Sequence, residues 1–202
     1  MNVLGIYGSP RKGGNTDRLL DSVLEGAQAA GAEVKRIYVR KLKMSGCIEC
    51  GGCDKTGECV VKDDMQEVYP MLAEASVIFL ASPIFFYGIT AQAKALVDRS
   101  QAMWARRMLL KTREERKRYD GGTGYLVAAG ATKGKTLFDG ARMEARYFFD
   151  ALDMHCGEGF FARGLEKRSD LDKHPELLED AFRFGREAVE AERTGGSPAA
   201  AG

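Results

Sequence analysis

Residues 2–16 read NVLGIYGSPRKGGNT, a short apolar run that ends in a glycine-rich loop and passes into a helical pattern. The run at residues 2–7 (NVLGIY) has the near-continuous apolarity of a strand buried on both faces. Beyond the loop, Leu19, Leu20, Val23, Leu24 and Ala27 recur at helical spacing. That spacing predicts a helix over residues 16–30, which Gly31 stops. The glycines of the loop let backbone N–H groups turn toward an anion, and Ser9, Asn15 and Thr16 add side-chain donors. The positive end of the following helix faces the same point, and Arg11 or Lys12 adds charge. A terminal phosphate monoester fits such a junction. The spacing matches neither the Walker pattern nor the dinucleotide fingerprint.

Outward from this junction, strands and helices alternate. Residues 34–39 read as a second strand, 77–81 (VIFLA) as a third, and 125–129 as a fourth. A fifth is expected near 154–161. Helical patterns cover 64–74, 90–103, 136–152 and 171–193, and 106–120 is a polar, basic stretch. This alternation predicts an α/β fold, a doubly wound sheet of five parallel strands in the order 2-1-3-4-5 with helices on both faces. One domain is expected over residues 1–193, with a cysteine-rich loop at 45–63 and a flexible tail at 194–202.

The third strand leads into Ser82-Pro83-Ile84-Phe85-Phe86-Tyr87-Gly88-Ile89, whose exposed aromatics would offer a platform for a flat ring. In the order 2-1-3-4-5 the first and third strands flank the switch point, where such folds bind ligands. Both loops then open into one crevice. Phosphate at one end and a planar ring at the other describe FMN, and Gly130, after the fourth strand, lines the third side.

Cys47, Cys50, Cys53 and Cys59 form C-x2-C-x2-C-x5-C, with Gly46, Gly51, Gly52 and Gly57 supplying tight turns. Three thiolates at intervals of three wrap one face of a cubane, and the fourth closes it. Zinc is the first rival, although four-cysteine zinc sites usually come from two separated C-x2-C knuckles. An empty site is the second. Cys156 stands apart and reads as a small core residue.

The segments GSPRKGGNT and SPIFFYGITAQAKALVDR, with the cysteines between them, resemble the NADPH-dependent FMN reductase group of flavodoxin-like proteins over residues 1–165. The resemblance implies FMN phosphate at Ser9, Arg11, Asn15 and Thr16. It implies the isoalloxazine ring against Pro83, Ile84, Phe85, Phe86, Tyr87 and Gly88, and a structural or dimer role for Asp98 and Arg99. The compact cysteine motif, placed between the second and third strands, resembles the iron–sulfur flavoproteins of anaerobic archaea and bacteria. That likeness implies a [4Fe–4S] cluster on Cys47, Cys50, Cys53 and Cys59. It also implies a homodimer or homotetramer in which one subunit's cluster faces another's FMN.

Composition narrows the partners. Thirty basic and 29 acidic residues leave a net charge of +1, which selects neither nucleic acid nor membrane. No apolar run is long enough to span a bilayer, and the N-terminus lacks a signal-peptide pattern, so a cytoplasmic location is expected. The expected function is FMN-dependent electron transfer or oxidoreduction, coupling the cluster to FMN with a ferredoxin-type donor. The alternative is an NAD(P)H-dependent FMN or quinone reductase without a cluster, NAD(P)H then being the substrate that supplies hydride. From another class, Ala129-Gly130-Ala131-Thr132-Lys133-Gly134-Lys135-Thr136 fits a relaxed Walker pattern and makes a P-loop nucleotidase a competitor. The basic stretch reads first as a solvated helix face and second as a dock for an acidic redox partner. His155 and His174 are isolated and are assigned no catalytic role.

Overall fold

A computed structural model describes residues 1–195. Its strands are β1 (Asn2–Tyr7), β2 (Glu33–Tyr38), β3 (Val77–Pro83), β4 (Thr123–Gly130), β5 (His155–Cys156) and β6 (Phe160–Arg163). Its helices are α1 (Asn15–Ala29), α2 (Met65–Glu74), α3 (Ala91–Arg99), α4 (Gln101–Leu110), α5 (Asp139–Ala151) and α6 (Pro175–Thr194). All strand pairs are parallel, and the order is β2-β1-β3-β4, with β5 and β6 both pairing β4. This is the predicted 2-1-3-4-5 sheet, with its fifth place shared by two short strands.

The split has a local cause. Between the two pairings, Gly124 to Val127 of β4 faces Cys156 to Phe160, so the outer chain carries one extra residue. A Cβ at Gly157 would lie 2.2 Å from the Tyr125 ring, and one at Gly159 would lie 2.4 Å from Leu126 O. The edge chain therefore bulges where it crosses β4 most closely.

Alternation along the strands feeds two cores. Leu4, Ile6, Ile78, Leu80 and Leu126 face α2, α3 and α5. Val3, Tyr7, Val77, Phe79, Tyr125 and Val127 face α1 and α6. Helices α1 and α6 touch backbone to backbone through Gly26 and Gly185. A Cβ on Gly26 would stand 1.9 Å from Phe182 O, and one on Gly185 would stand 1.8 Å from Val23 O.

Two other elements differ from the sequence reading. The helix expected over 90–103 is two helices, and the second runs on to Leu110 inside the stretch read as basic and polar. The break falls at Ser100, which caps both helices with ψ at 0° and whose Oγ competes with its own amide for Leu96 O. The expected tail begins inside α6, which runs to Thr194, and residues 196–202 lie outside the described residues. Because β1 leads to α1 on one face and β3 leads to α3 on the other, their carboxyl ends part, and a crevice opens between them.

Candidate functional site

The first wall of the crevice is the loop between β1 and α1. Its helix starts without a side-chain cap: Gly14 stands at the N-cap, and the first helical bond runs from Arg18 N–H to Gly14 O (3.1 Å). The amides of Asn15, Thr16 and Asp17 thus have no helical acceptor. The loop is held from beneath. Ser9 Oγ accepts from Arg11 N–H (3.2 Å), and Asp17 Oδ2 accepts from Gly13 N–H (2.9 Å). Arg40 pairs with Asp17 (3.0 Å) and donates to Ser9 O (3.2 Å). Burial raises the Asp17 carboxyl, against the lowering pull of the Gly13 amide and Arg40. Asn15 Nδ2 donates to Lys167 O (2.9 Å), whereas its buried Oδ1 has no partner among the described residues.

The second wall follows β3. Phe85 and Gly88 exchange two hydrogen bonds of 3.0 Å, closing a tight turn over Phe86 and Tyr87. Both central residues have positive φ, 50° and 65°, a conformation that bulky side chains rarely adopt. The turn is pinned at three further points. Ile84 N–H donates to Ala129 O (3.0 Å), Ala141 N–H to Tyr87 O (3.1 Å), and Ile89 N–H to Glu144 Oε2 (2.9 Å). Its rings nevertheless face solvent, with Phe86 fully exposed at 104% and Phe85 and Tyr87 more than half exposed. Thr90 ties the walls together: its Oγ1 donates to Gly8 O (2.5 Å), and its amide donates to Ser82 Oγ (3.0 Å).

Between the walls lies a cleft of about 240 Å³. Of the residues predicted from sequence, Ser9, Arg11, Asn15, Thr16, Pro83, Ile84, Phe85 and Gly130 line it. Lys12, Phe86, Tyr87 and Gly88 do not; Lys12 is exposed, and the other three stand on the turn beside the opening. Sequence reasoning missed Leu165 and Glu166, which enter after β6. Leu165 N–H donates to Gly130 O (3.1 Å), a bond between segments far apart in the chain. The glycine at 164, which takes positive φ (77°) just before them, is the local mark in the sequence of the turn that precedes them.

A second cavity, of about 510 Å³, lies below the end of α3, and Cys47, Cys50, Cys53 and Cys59 all line it. Among the described residues, no three His, Cys, Asp or Glu side chains converge to hold a single metal ion. Turns with positive φ at Glu49, Gly51 and Gly57 shape the loop. Buried Arg99 grips it, donating to Asp63, to Ser45 O and to Cys59 Sγ (3.4 Å). The four thiols are not equivalent. Burial raises Cys53; it also raises Cys59, but the Val61 amide, the Tyr69 hydroxyl and Arg99 outweigh it and leave Cys59 below its ordinary value.

Three other sequence features resolve differently. The Walker-like run reaches no helix until Asp139, so Lys135 and Thr136 sit at no helix N-terminus. The basic stretch is largely bound within the chain. Arg107 pairs with Asp150 (3.0 Å) and Asp153 (2.8 Å) and donates to Arg116 O (2.7 Å). Lys111 pairs with Asp153 and Asp120, and Lys117 pairs with Glu114. Cys156 is half-buried, packed against the edge of the core, and it lines a cavity of about 550 Å³ that lies between α5 and the sheet edge and holds none of the predicted site residues.

The sheet order and the crevice at its switch point define a flavodoxin-like α/β protein. Residues 1–164 match the NADPH-dependent FMN reductase family, and the chain belongs to it. An iron–sulfur flavoprotein of Archaeoglobus fulgidus is 40% identical over 99 residues, covering 49% of this chain and 45% of that protein. One of Methanosarcina thermophila is 35% identical over 113 residues, covering 56% and 59%. The chain spans about half the length of the curated relatives it matches. Among solved structures, a flavone reductase superposes with TM-score 0.69 at 17% identity, over 100% of this chain and 66% of that one. An NAD(P)H:quinone oxidoreductase from Methanothermobacter marburgensis gives 0.67 at 13%, over 93% and 95%. At such identities the likeness concerns the fold. No helix among the described residues is long and apolar enough to cross a membrane.

Proposed function

We propose that the protein is an FMN-dependent oxidoreductase that couples flavin in the β1/β3 cleft to a [4Fe–4S] cluster on Cys47, Cys50, Cys53 and Cys59. The carrying observation is the pairing, in one cleft, of an uncapped buried helix start with a pinned turn of exposed aromatics. FMN fits both ends. The free amides of Asn15, Thr16 and Asp17, with the hydroxyls of Ser9 and Thr16, are donors for its phosphate, and Arg11 adds charge. Asn15 Oδ1 lacks a donor; a ribityl hydroxyl supplies one, whereas an ionised phosphate cannot. Pro83, Ile84, Phe85, Phe86, Tyr87 and Gly88 form the platform for the ring, and Gly130 closes the third side. Lys12, exposed and outside the cleft lining, adds positive charge to the local field.

The cluster reading is supported by four thiols spread around one cavity, which suits one thiolate per iron better than a single ion. When bound, FMN takes up one or two electrons and the cluster one at a time, so together they would link one-electron donors to two-electron acceptors. The chain's own part is to bind, orient and tune. Ferredoxin is the donor that suits such a pair. The alternative, hydride from NAD(P)H without a cluster, draws support from the open aromatic face beside the cleft and from the family itself. Self-association as a homodimer or homotetramer is supported by exposed Ile48, Val60, Trp104, Leu109 and Leu110 on the cysteine loop and α4. Five free cysteines suit the cytoplasm.

The test is the visible spectrum, with iron and acid-labile sulfide, of anaerobically prepared protein. Flavin bands with a broad shoulder and about four irons per chain are expected. Flavin without iron, even after anaerobic reconstitution, would leave the NAD(P)H-dependent alternative. A chain that takes up no FMN would overturn both.

A further inference from the structure

Arg99 closes α3 and is 2% exposed. Its Nη1 donates to Asp63 Oδ2 (2.6 Å) and Ser45 O (3.2 Å), and its Nη2 donates to Asp63 Oδ1 (3.0 Å). That fork would satisfy an arginine whose only task was to hold the loop. The guanidinium goes further: Nη2 also donates to Cys59 Sγ (3.4 Å), and Nε is left buried with no partner among the described residues. Of the charged residues lining the cysteine cavity, Glu49, Asp54 and Asp98 are acidic, and Arg99 is the cation. The helix is fixed at both ends. Tyr69 Oη donates to Arg99 O (3.0 Å), and Thr90, at the other end, binds Gly8 O under the phosphate loop. One helix of nine residues, about 14 Å long, thus joins the cleft to the cavity.

We propose that Arg99 is a positioning residue for the cysteine cavity, which places Cys59 for the cluster and, through its N–H···S bond and its charge, sets the cluster's reduction potential. The inference rests on the cluster reading above. Hydrogen bonds to cluster sulfurs and nearby charge are established determinants of potential. A cation facing the cavity favours the reduced form, which carries more negative charge. Arg99→Lys keeps the charge opposite Asp63 and loses the fork that reaches Cys59.

The experiment compares wild type, Arg99→Lys and Gln101→Ala after anaerobic loading with iron and sulfide. Gln101 lines the same cavity without touching a thiol in any hydrogen bond. Iron content is read first, then potential by spectroscopically monitored titration. Arg99→Lys should load yet shift to more negative potential by about tenfold in the one-electron equilibrium, about 59 mV, while Gln101→Ala stays at the wild-type value. A loaded Arg99→Lys protein at wild-type potential would overturn the inference and leave the cluster reading standing. Wild type that takes up no iron would overturn both. Should Arg99→Lys fail to fold, wild type grown with ¹⁵N-labelled arginine decides: magnetic coupling between the reduced cluster and an arginine nitrogen is expected, and its absence would refute the bond.

Discussion

Phe86→Gly separates a turn built for a ligand from a turn built for the fold. Phe86 sits at φ 50° with its ring wholly in solvent, so its conformation is costly and its side chain buries nothing in the chain itself. Holding an L-residue in the left-handed region costs about 1–2 kcal/mol. Glycine removes that cost but frees the unfolded chain by about 0.5–1 kcal/mol. The net expectation is a ligand-free protein as stable as wild type or more stable by up to about 1.5 kcal/mol. At about 2–4 °C per kcal/mol for a chain of this size, Tm should rise by no more than about 6 °C. FMN should bind more weakly, because a ring contact worth about 0.5–1.5 kcal/mol is lost, which is about two- to tenfold in Kd. Thermal unfolding of the ligand-free protein and fluorescence titration with FMN measure the two effects. A fall in ligand-free stability of more than about 1 kcal/mol would mean that the ring supports the fold, and the strain argument would fail.

Two further outcomes follow from packing and charge. Gly185→Ala drives a methyl into the backbone of α1 at Val23 O; overpacking of this kind costs about 1–3 kcal/mol, and a urea midpoint equal to wild type would contradict the close approach of α1 and α6. Asp63 is held below its ordinary value, first by its hydrogen bonds from Arg99. Its contribution to stability is therefore complete above the ordinary carboxylate range, near pH 4, and is lost as pH falls through the lower folded value. Asp63→Asn should lessen the drop in urea midpoint on acidification, and an unchanged slope would remove Asp63 as a cause.

The parts legible in sequence are those where local pattern and tertiary role coincide. β1, β3 and β4 are buried on both faces, so their apolar runs stand out, and the loops after β1 and β3 carry the donors and aromatics that line or flank the cleft. What stayed hidden depends on contacts between distant segments. The fifth strand divides because Gly157 and Gly159 must pass Tyr125 and Leu126 of another strand. The break at Ser100 falls inside an unbroken helical pattern and goes with one residue's backbone turn and its Oγ bond to Leu96 O. Arg107 reads as a surface charge until α5 brings Asp150 and Asp153 against it. Leu165 and Glu166 join the cleft through a bond to Gly130 that no local period announces. Arg99 belongs to an Asp-Arg pair for which the sequence suggests a structural or dimer role, but nothing local announces its burial against Cys59 and Asp63.

The most direct test of flavin in the β1/β3 cleft is an equilibrium titration of the cofactor-free protein with FMN and, separately, with riboflavin. The two ligands share the ring and ribityl chain and differ in the phosphate, which the proposed binding mode sets against the unpaired α1 amides. FMN should bind tighter by at least about tenfold, the charge-assisted bonds being worth about 1.5–3 kcal/mol each. Equal affinity for the two, or no binding of FMN, would contradict the assignment of this cleft.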